Sequence, residues 1–180
     1  MNQPLKIAVA GLGTVGAGAV KALLAHKDAL SARAGRSLDV TLLCDRNPAC
    51  FTPFAGIKTT DDLKALVASD VDVVVELIGG ENGIAPALVE NALRAGKHVV
   101  TANKAMMARH GARLAALAEE NGVGLRFEAA VAGGIPILKS LRESLFVYGV
   151  SAVRGILNGT CNYILTQMDE TGRSFADVLK

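Results

Sequence analysis

The sequence predicts an α/β fold, a Rossmann-like doubly wound and mostly parallel sheet, and three observations carry that expectation. Short apolar runs alternate with amphipathic stretches, the rhythm of strands joined by crossover helices. A glycine-rich turn joins the first apolar run to the first amphipathic one. Hydrophobic residues make up 51% of the 180 positions and charged residues 20%, with 19 glycines and no tryptophan. That composition fits a well-buried globule of α/β layers better than a loop-rich or disulfide scaffold.

The elements follow in order. KIAVAG (6–11) reads as the first strand, and TVGAGAVKALLAHKDAL (14–30) carries apolar residues at helical spacing. DVTLLCD (39–45) is a strand and DDLKALVA (61–68) a short helix. VDVVVELIG (71–79) lacks alternation, as a strand covered on both faces does. GIAPALVENALRAG (83–96) is a helix with Pro86 near its start and Gly96 as its C-terminal cap. KHVVTA (97–102) is a strand, KAMMARHGARLAALAEENG (104–122) a helix and VGLRFEA (123–129) another strand.

Beyond this point the rhythm changes. AAVAGGIPILKSLRES (129–144) reads as a glycine-containing turn leading into a helix, VSAVRGILNG (150–159) as a strand ending in a loop, and TCNYILTQMDETG (160–172) as a helix. In SFADVLK, Ser174 and Asp177 form a helix-start signature for a helix that has barely begun. The expectation is an N-terminal portion of a longer protein, with one domain over 1–130 and the beginning of a second over 131–180.

Charge and cysteine usage exclude several classes. A net charge of +2 with scattered basic residues forms no footprint for nucleic acid. No apolar run reaches the roughly 20 residues that a membrane span needs. The N-terminus, MNQPLKIAVAGLG, has neither a basic n-region nor a cleavage site, which argues against secretion. Cys44, Cys50 and Cys161 show no C-x-x-C spacing and suit a reducing compartment, so the cytoplasm is expected. His26, His98 and His110 are isolated, and Met106 and Met107 fit helix packing.

The chemistry concentrates in two places. Gly11-x-Gly13-x-x-Gly16 directly follows the first strand and opens the first helix. Gly11 permits a tight turn, Gly13 lets backbone approach a pyrophosphate, and Gly16 lets helix and strand pack closely. The helix N-terminus supplies N–H groups and positive dipole for phosphates. A dinucleotide such as NAD or NADP is the ligand this context implies. At the end of the next strand, Asp45 can accept from the adenosine ribose of NAD, whereas Arg46 can hold the 2′-phosphate of NADP. Both are present, so the preference stays open at this point.

The second place is the edge where strands end. In a doubly wound sheet, ligands collect at the carboxyl ends of the strands, where the strand order reverses. Ile78-Gly79-Gly80 supplies small residues where a nicotinamide must lie close to backbone, and Thr101-Ala102-Asn103-Lys104 ends the next strand on the same edge. Lys104 opens a helix, where the dipole prefers acids. An amine there can orient a substrate oxygen and move the proton that accompanies hydride transfer, provided that its pKa is lowered.

Five motifs together resemble the homoserine dehydrogenase family: IAVAGLGTVGAG, VVVELIGG, HVVTANKA, FEAAVAGGIPIL and ILNGTCNYIL, in that order. The resemblance covers essentially the whole chain. It implies NAD(P)-dependent interconversion of L-homoserine and L-aspartate 4-semialdehyde, on the route to threonine and methionine, by a homodimer or an oligomer of dimers. It puts phosphates on Leu12, Gly13, Thr14 and Val15, and lines the nicotinamide side with Gly79, Thr101 and Lys104. It implies a sodium ion on backbone carbonyls at Glu128, Val131, Gly133 and Ile135, and places Gly159 and Thr160 beside the substrate and nicotinamide. It also implies that the second catalytic lysine, the acids holding the substrate amine, and most of the substrate and dimerisation domain lie beyond position 180. Such a chain would bind cofactor weakly and turn over little homoserine.

Two other readings compete. One is a sugar or polyol dehydrogenase, in which the lysine usually sits in a Glu-Lys-Pro setting that Asn103-Lys104-Ala105 does not match. The other is a domain that senses NAD(H) without catalysis.

Overall fold

The computed structural model describes residues 3–155 and 158–179. It divides into two compact units, Met1–Val131 and Ala132–Lys180.

The first unit is built on a six-stranded parallel sheet: β1 (Leu5–Ala10), β2 (Leu38–Cys44), β3 (Lys58–Thr60), β4 (Val73–Glu76), β5 (His98–Thr101) and β6 (Leu125–Arg126). Their order across the sheet is β3-β2-β1-β4-β5-β6, so the chain winds outward from β1 and then resumes on its other side at β4. The helices are α1 (Thr14–Ala25), α2 (Lys27–Ala34), α3 (Leu63–Ala68), α4 (Ile84–Arg94) and α5 (Lys104–Glu120).

Strand periodicity explains why both faces are dry. On β1, Ala8 and Ala10 join a core with Val74, Val99, Leu88, Leu93 and Leu114, whereas Ile7 and Val9 join Leu12, Val20, Leu43 and Phe54. Successive residues point to opposite faces, so a strand covered twice must be apolar throughout. That is why VDVVVELIG shows no alternation.

Several expected boundaries shift, each for a local reason. The helix expected over 14–30 breaks at His26, whose φ of −111° and ψ of 19° leave the helical region, and α2 resumes without a buried residue. A 3₁₀ turn, Pro48–Phe54, and the edge strand β3 were not legible. With three residues and no alternation, β3 carries too little pattern. β4 stops at Glu76 because that side chain captures the N–H groups of Ile78 and Gly79, which then cannot join a ladder. β6 has two residues where seven were expected.

The second unit is helical. A 3₁₀ turn at Glu128–Ala130 closes the first unit. After it come α6 (Ile137–Lys139), a π-type turn at Ser140–Ser144, a 3₁₀ turn at Phe146–Tyr148, α7 (Gly159–Thr171) and α8 (Phe175–Val178). The strand expected over 150–159 is absent from residues 150–155, which are irregular, and residues 156–157 lie outside the described residues. Ser174 caps α8 by accepting from the Asp177 N–H, as its signature predicts.

Candidate functional site

Three glycines that look equivalent in sequence differ in space. Gly11 has φ +90°, and a Cβ there would lie 2.6 Å from the Leu77 carbonyl. At Gly16 a Cβ would lie 1.8 Å from the Gly11 carbonyl oxygen. Chain packing therefore demands glycine at both. Gly13 is different: its φ is −64°, and a Cβ would meet nothing within 4 Å. No described residue excludes a side chain at Gly13, so the open space before it fits a ligand approaching the backbone. Gly13 is also the N-cap of α1, with no side-chain cap and no acid in the first turn. The first N–H groups of that helix, on Thr14, Val15 and Gly16, have no carbonyl to meet within it. The cradle suits a dinucleotide pyrophosphate.

A cleft of about 330 Å³ opens here, lined among others by Gly11, Gly13, Asp45, Arg46, Leu77 and Ile78. Asp45 clasps its wall. One carboxylate oxygen accepts the Leu12 N–H at 2.7 Å and the other accepts the Asn47 N–H at 2.9 Å. The Leu12 N–H, where a phosphate contact is expected, is thus engaged by a carboxylate. Arg46 is exposed and makes no ion pair among the described residues.

β4 and β5 end side by side in parallel register, with Glu76 opposite Thr101. Gly79 and Gly80, at φ +82° and +94°, turn the chain away from the sheet after Ile78. Thr101 is buried, and Asn103 caps α5 by accepting the Met106 N–H at 3.1 Å. The Asn103 amide also donates to the Gly80 carbonyl at 2.7 Å. Lys104, the first residue of α5, is exposed, and its side chain makes no hydrogen bond or ion pair among the described residues. Ile78, Gly79, Thr101 and Lys104 therefore stand at the carboxyl edge of one sheet, beside the switch point between β1 and β4. Ligands collect at that place in this topology.

Sequence reasoning missed Glu76, which is 0% exposed. The available signal was a single charge inside VVVELIGG. It also missed the capping role of Asn103, although Asn before a helical run is a recognisable start signal.

The remaining expected residues sit elsewhere. Glu128 and Val131 belong to the first unit, and Gly133 and Ile135 to the second. Among the described residues, no cluster of three or more His, Cys, Asp or Glu could hold a metal. Ala132, between them, has φ +50°, the left-handed region that few side chains adopt. In the second unit, Gly159 and Thr160 form the exposed first turn of α7, capped by Asn158 through the Cys161 N–H at 2.8 Å. No helix among the described residues is long and apolar enough to cross a membrane.

Comparison with known proteins agrees with this architecture. Residues 11–128 match the family model described as homoserine dehydrogenase, NAD binding domain, and residues 136–180 match the model described as homoserine dehydrogenase. The homoserine dehydrogenase of Pseudomonas aeruginosa is 47% identical over 98% of this chain and 41% of its own length. That of Neisseria gonorrhoeae is 45% identical over 99% of this chain and 41% of its own. The crystal structure of a homoserine dehydrogenase from Thiobacillus denitrificans has a TM-score of 0.87 at 42% identity, covering 98% of this chain and 41% of that one. The chain spans about 41% of the length of the relatives it matches. On sequence and fold alike, the chain belongs to the homoserine dehydrogenase family.

Proposed function

We propose that this chain is the cofactor-binding part, with the first elements of the substrate domain, of an enzyme that interconverts L-homoserine and L-aspartate 4-semialdehyde with NAD(P). One observation carries the reading in this family: the glycine cradle, the Gly79 turn and Lys104 share the carboxyl edge of one parallel sheet. Neither the polyol nor the sensor reading accounts for family models matching both units.

In this reading Gly13, Thr14 and Val15 offer backbone N–H groups to the phosphates, and Gly11 and Gly16 keep that turn in shape. Asp45 holds the turn through Leu12, which leaves Arg46 as the group facing an adenosine 2′-phosphate and favours NADP over NAD. Ile78, Gly79 and Thr101 border the nicotinamide, which exchanges a hydride with the substrate carbon when bound. Lys104 holds the substrate oxygen. During oxidation the hydroxyl proton leaves through its amine, and during reduction its ammonium returns one. Gly159 and Thr160 border the substrate, and a sodium ion belongs to the same proposal, main-chain oxygens being suited to a hard cation. The cytoplasm and a homodimer complete the proposal; the three free cysteines suit the former.

The test joins residues 1–180 to the C-terminal part of the Pseudomonas aeruginosa relative and follows NADP+ reduction with homoserine. Homoserine-dependent reduction that Lys104→Ala lowers by about a hundred-fold or more is expected. Reduction unaffected by Lys104→Ala, or a preference for a polyol over homoserine, would refute the proposal.

A further inference from the structure

The carboxyl edge contains a buried carboxylate with no assigned task. Glu76 ends β4, is 0% exposed, and makes no ion pair among the described residues. Burying an acid without a cation is costly unless hydrogen bonds compensate. Three hydrogens converge on it. The N–H groups of Ile78 and Gly79 donate to Oε1 at 2.8 and 2.9 Å, and the Thr101 hydroxyl donates to Oε2 at 2.5 Å. Every contact presents a hydrogen, the pattern an acceptor-only carboxylate requires.

The network continues past Thr101. Its Oγ1 accepts the Asn103 N–H at 3.0 Å, and the Asn103 side chain returns to the Gly80 carbonyl at 2.7 Å. The turn after β4 and the segment after β5 are therefore tied twice, once through Glu76 and once through Asn103. Lys104 follows Asn103 directly. None of these bonds adds to the apolar core; Thr101 to Glu76 and Asn103 to Gly80 fix the relative placement of two loops, and the others shape each loop locally.

We propose that Glu76 is a positioning residue for this edge: its carboxylate locks the 78–80 turn to the 101–103 segment and so sets where Lys104 emerges. The inference rests on the reading above, in which this edge receives the nicotinamide and the substrate oxygen. It assigns Glu76 no contact with either.

Glu76→Gln is the direct test. Glutamine keeps the size and one acceptor but turns the other into a donor, so the buried Thr101 hydroxyl loses its acceptor. Two ligands are titrated into the chain: NADPH, which reaches the edge, and adenosine 2′,5′-bisphosphate, which carries only the adenosine half. NADPH affinity is expected to fall roughly ten-fold, the size of one compromised buried hydrogen bond to a charged group, with little change for the bisphosphate. Amide hydrogen exchange should accelerate at Ile78, Gly79 and Asn103 while Val9 and Val99 keep their protection. Combining Glu76→Gln with Thr101→Val should cost less than the sum of the two, because both act on one bond.

Equal weakening of both ligands, or unchanged NADPH binding, would overturn the inference. If the unsubstituted chain bound neither ligand, the functional reading would fail, and exchange alone would judge the tie. Selective acceleration at Gly79 and Asn103 would then support it, and unchanged exchange would overturn it. Should Glu76→Gln not fold, Thr101→Val, which removes the hydroxyl donated to Glu76 and the acceptor of the Asn103 N–H, decides by exchange: acceleration at Ile78 and Gly79 would support the tie, and unchanged exchange there would overturn it.

Discussion

The unit Met1–Val131 and the unit Ala132–Lys180 use apolar residues in opposite ways. In the first, Val9, Leu43, Leu93, Val99 and Leu114 have no exposure at all, and apolar clusters lie on both faces of one sheet. In the second, Ile164 is the one buried residue among those described, while Phe146, Val147 and Tyr148 are 76–83% exposed. Apolar surface stabilises a fold only when it leaves water. The first unit therefore holds its own folding free energy. The second presents apolar surface that contributes once something covers it, in a chain spanning about 41% of its relatives' length.

Separating the units should show the largest effect. Residues 1–131 alone are expected to melt cooperatively by circular dichroism, whereas 132–180 alone should show no cooperative transition, because fewer than about 50 residues with so little burial cannot offset chain entropy. A cooperative melt for the short piece would break the comparison.

Within the first unit, Gly16→Ala comes next. A Cβ at 1.8 Å from the Gly11 carbonyl oxygen cannot be absorbed by a side-chain shift, so backbone must move. A loss of about 3 kcal/mol or more by denaturant titration is expected.

Matched leucines sharpen the contrast further. Leu93→Ala, at 0% exposure, should cost about 2–5 kcal/mol, whereas Leu165→Ala, at 63% exposure, should change stability by less than about 0.5 kcal/mol.

The smallest effect concerns a charge tying α4 to α5. Glu90 accepts from Arg113 at 2.8 Å and pairs with Arg94 at 2.7 Å. The hydrogen bond from Arg113, ahead of the charge of both arginines, holds its carboxyl below the usual range. A depressed folded-state value means that the contribution is present above the unfolded carboxylate pKa and lost as pH falls through the folded one. Glu90→Gln should therefore lower stability by about 0.2–1 kcal/mol at neutral pH, with the difference vanishing in acid.

How much of this was legible depends on whether a feature lives in local pattern. The parallel sheet was readable because apolar runs and the turn at Gly11 announce themselves within a few residues. Lys104 was readable as the first residue of a helix. The task of Glu76 was not, because its carboxylate finds Thr101 only after β5 pairs with β4 in register. The Asp45 clasp was hidden for the same reason, since its partner Leu12 is distant in sequence and meets it across adjacent strands. Residues 150–155 misled because Val150 and Val153 look like strand residues but pair with no strand among the described residues. Alternation proposes a strand; a partner decides it.

The space before Gly13, which the chain itself leaves open, is the place where a ligand is expected. NADPH titration into the chain and into Gly13→Ala, followed by nicotinamide fluorescence beside thermal melts, tests this most directly. Stability within about 1 kcal/mol of the unsubstituted chain, the cost range of a compatible glycine replacement, is expected together with at least about ten-fold weaker NADPH binding. Unaltered NADPH affinity in a folded Gly13→Ala chain would contradict it.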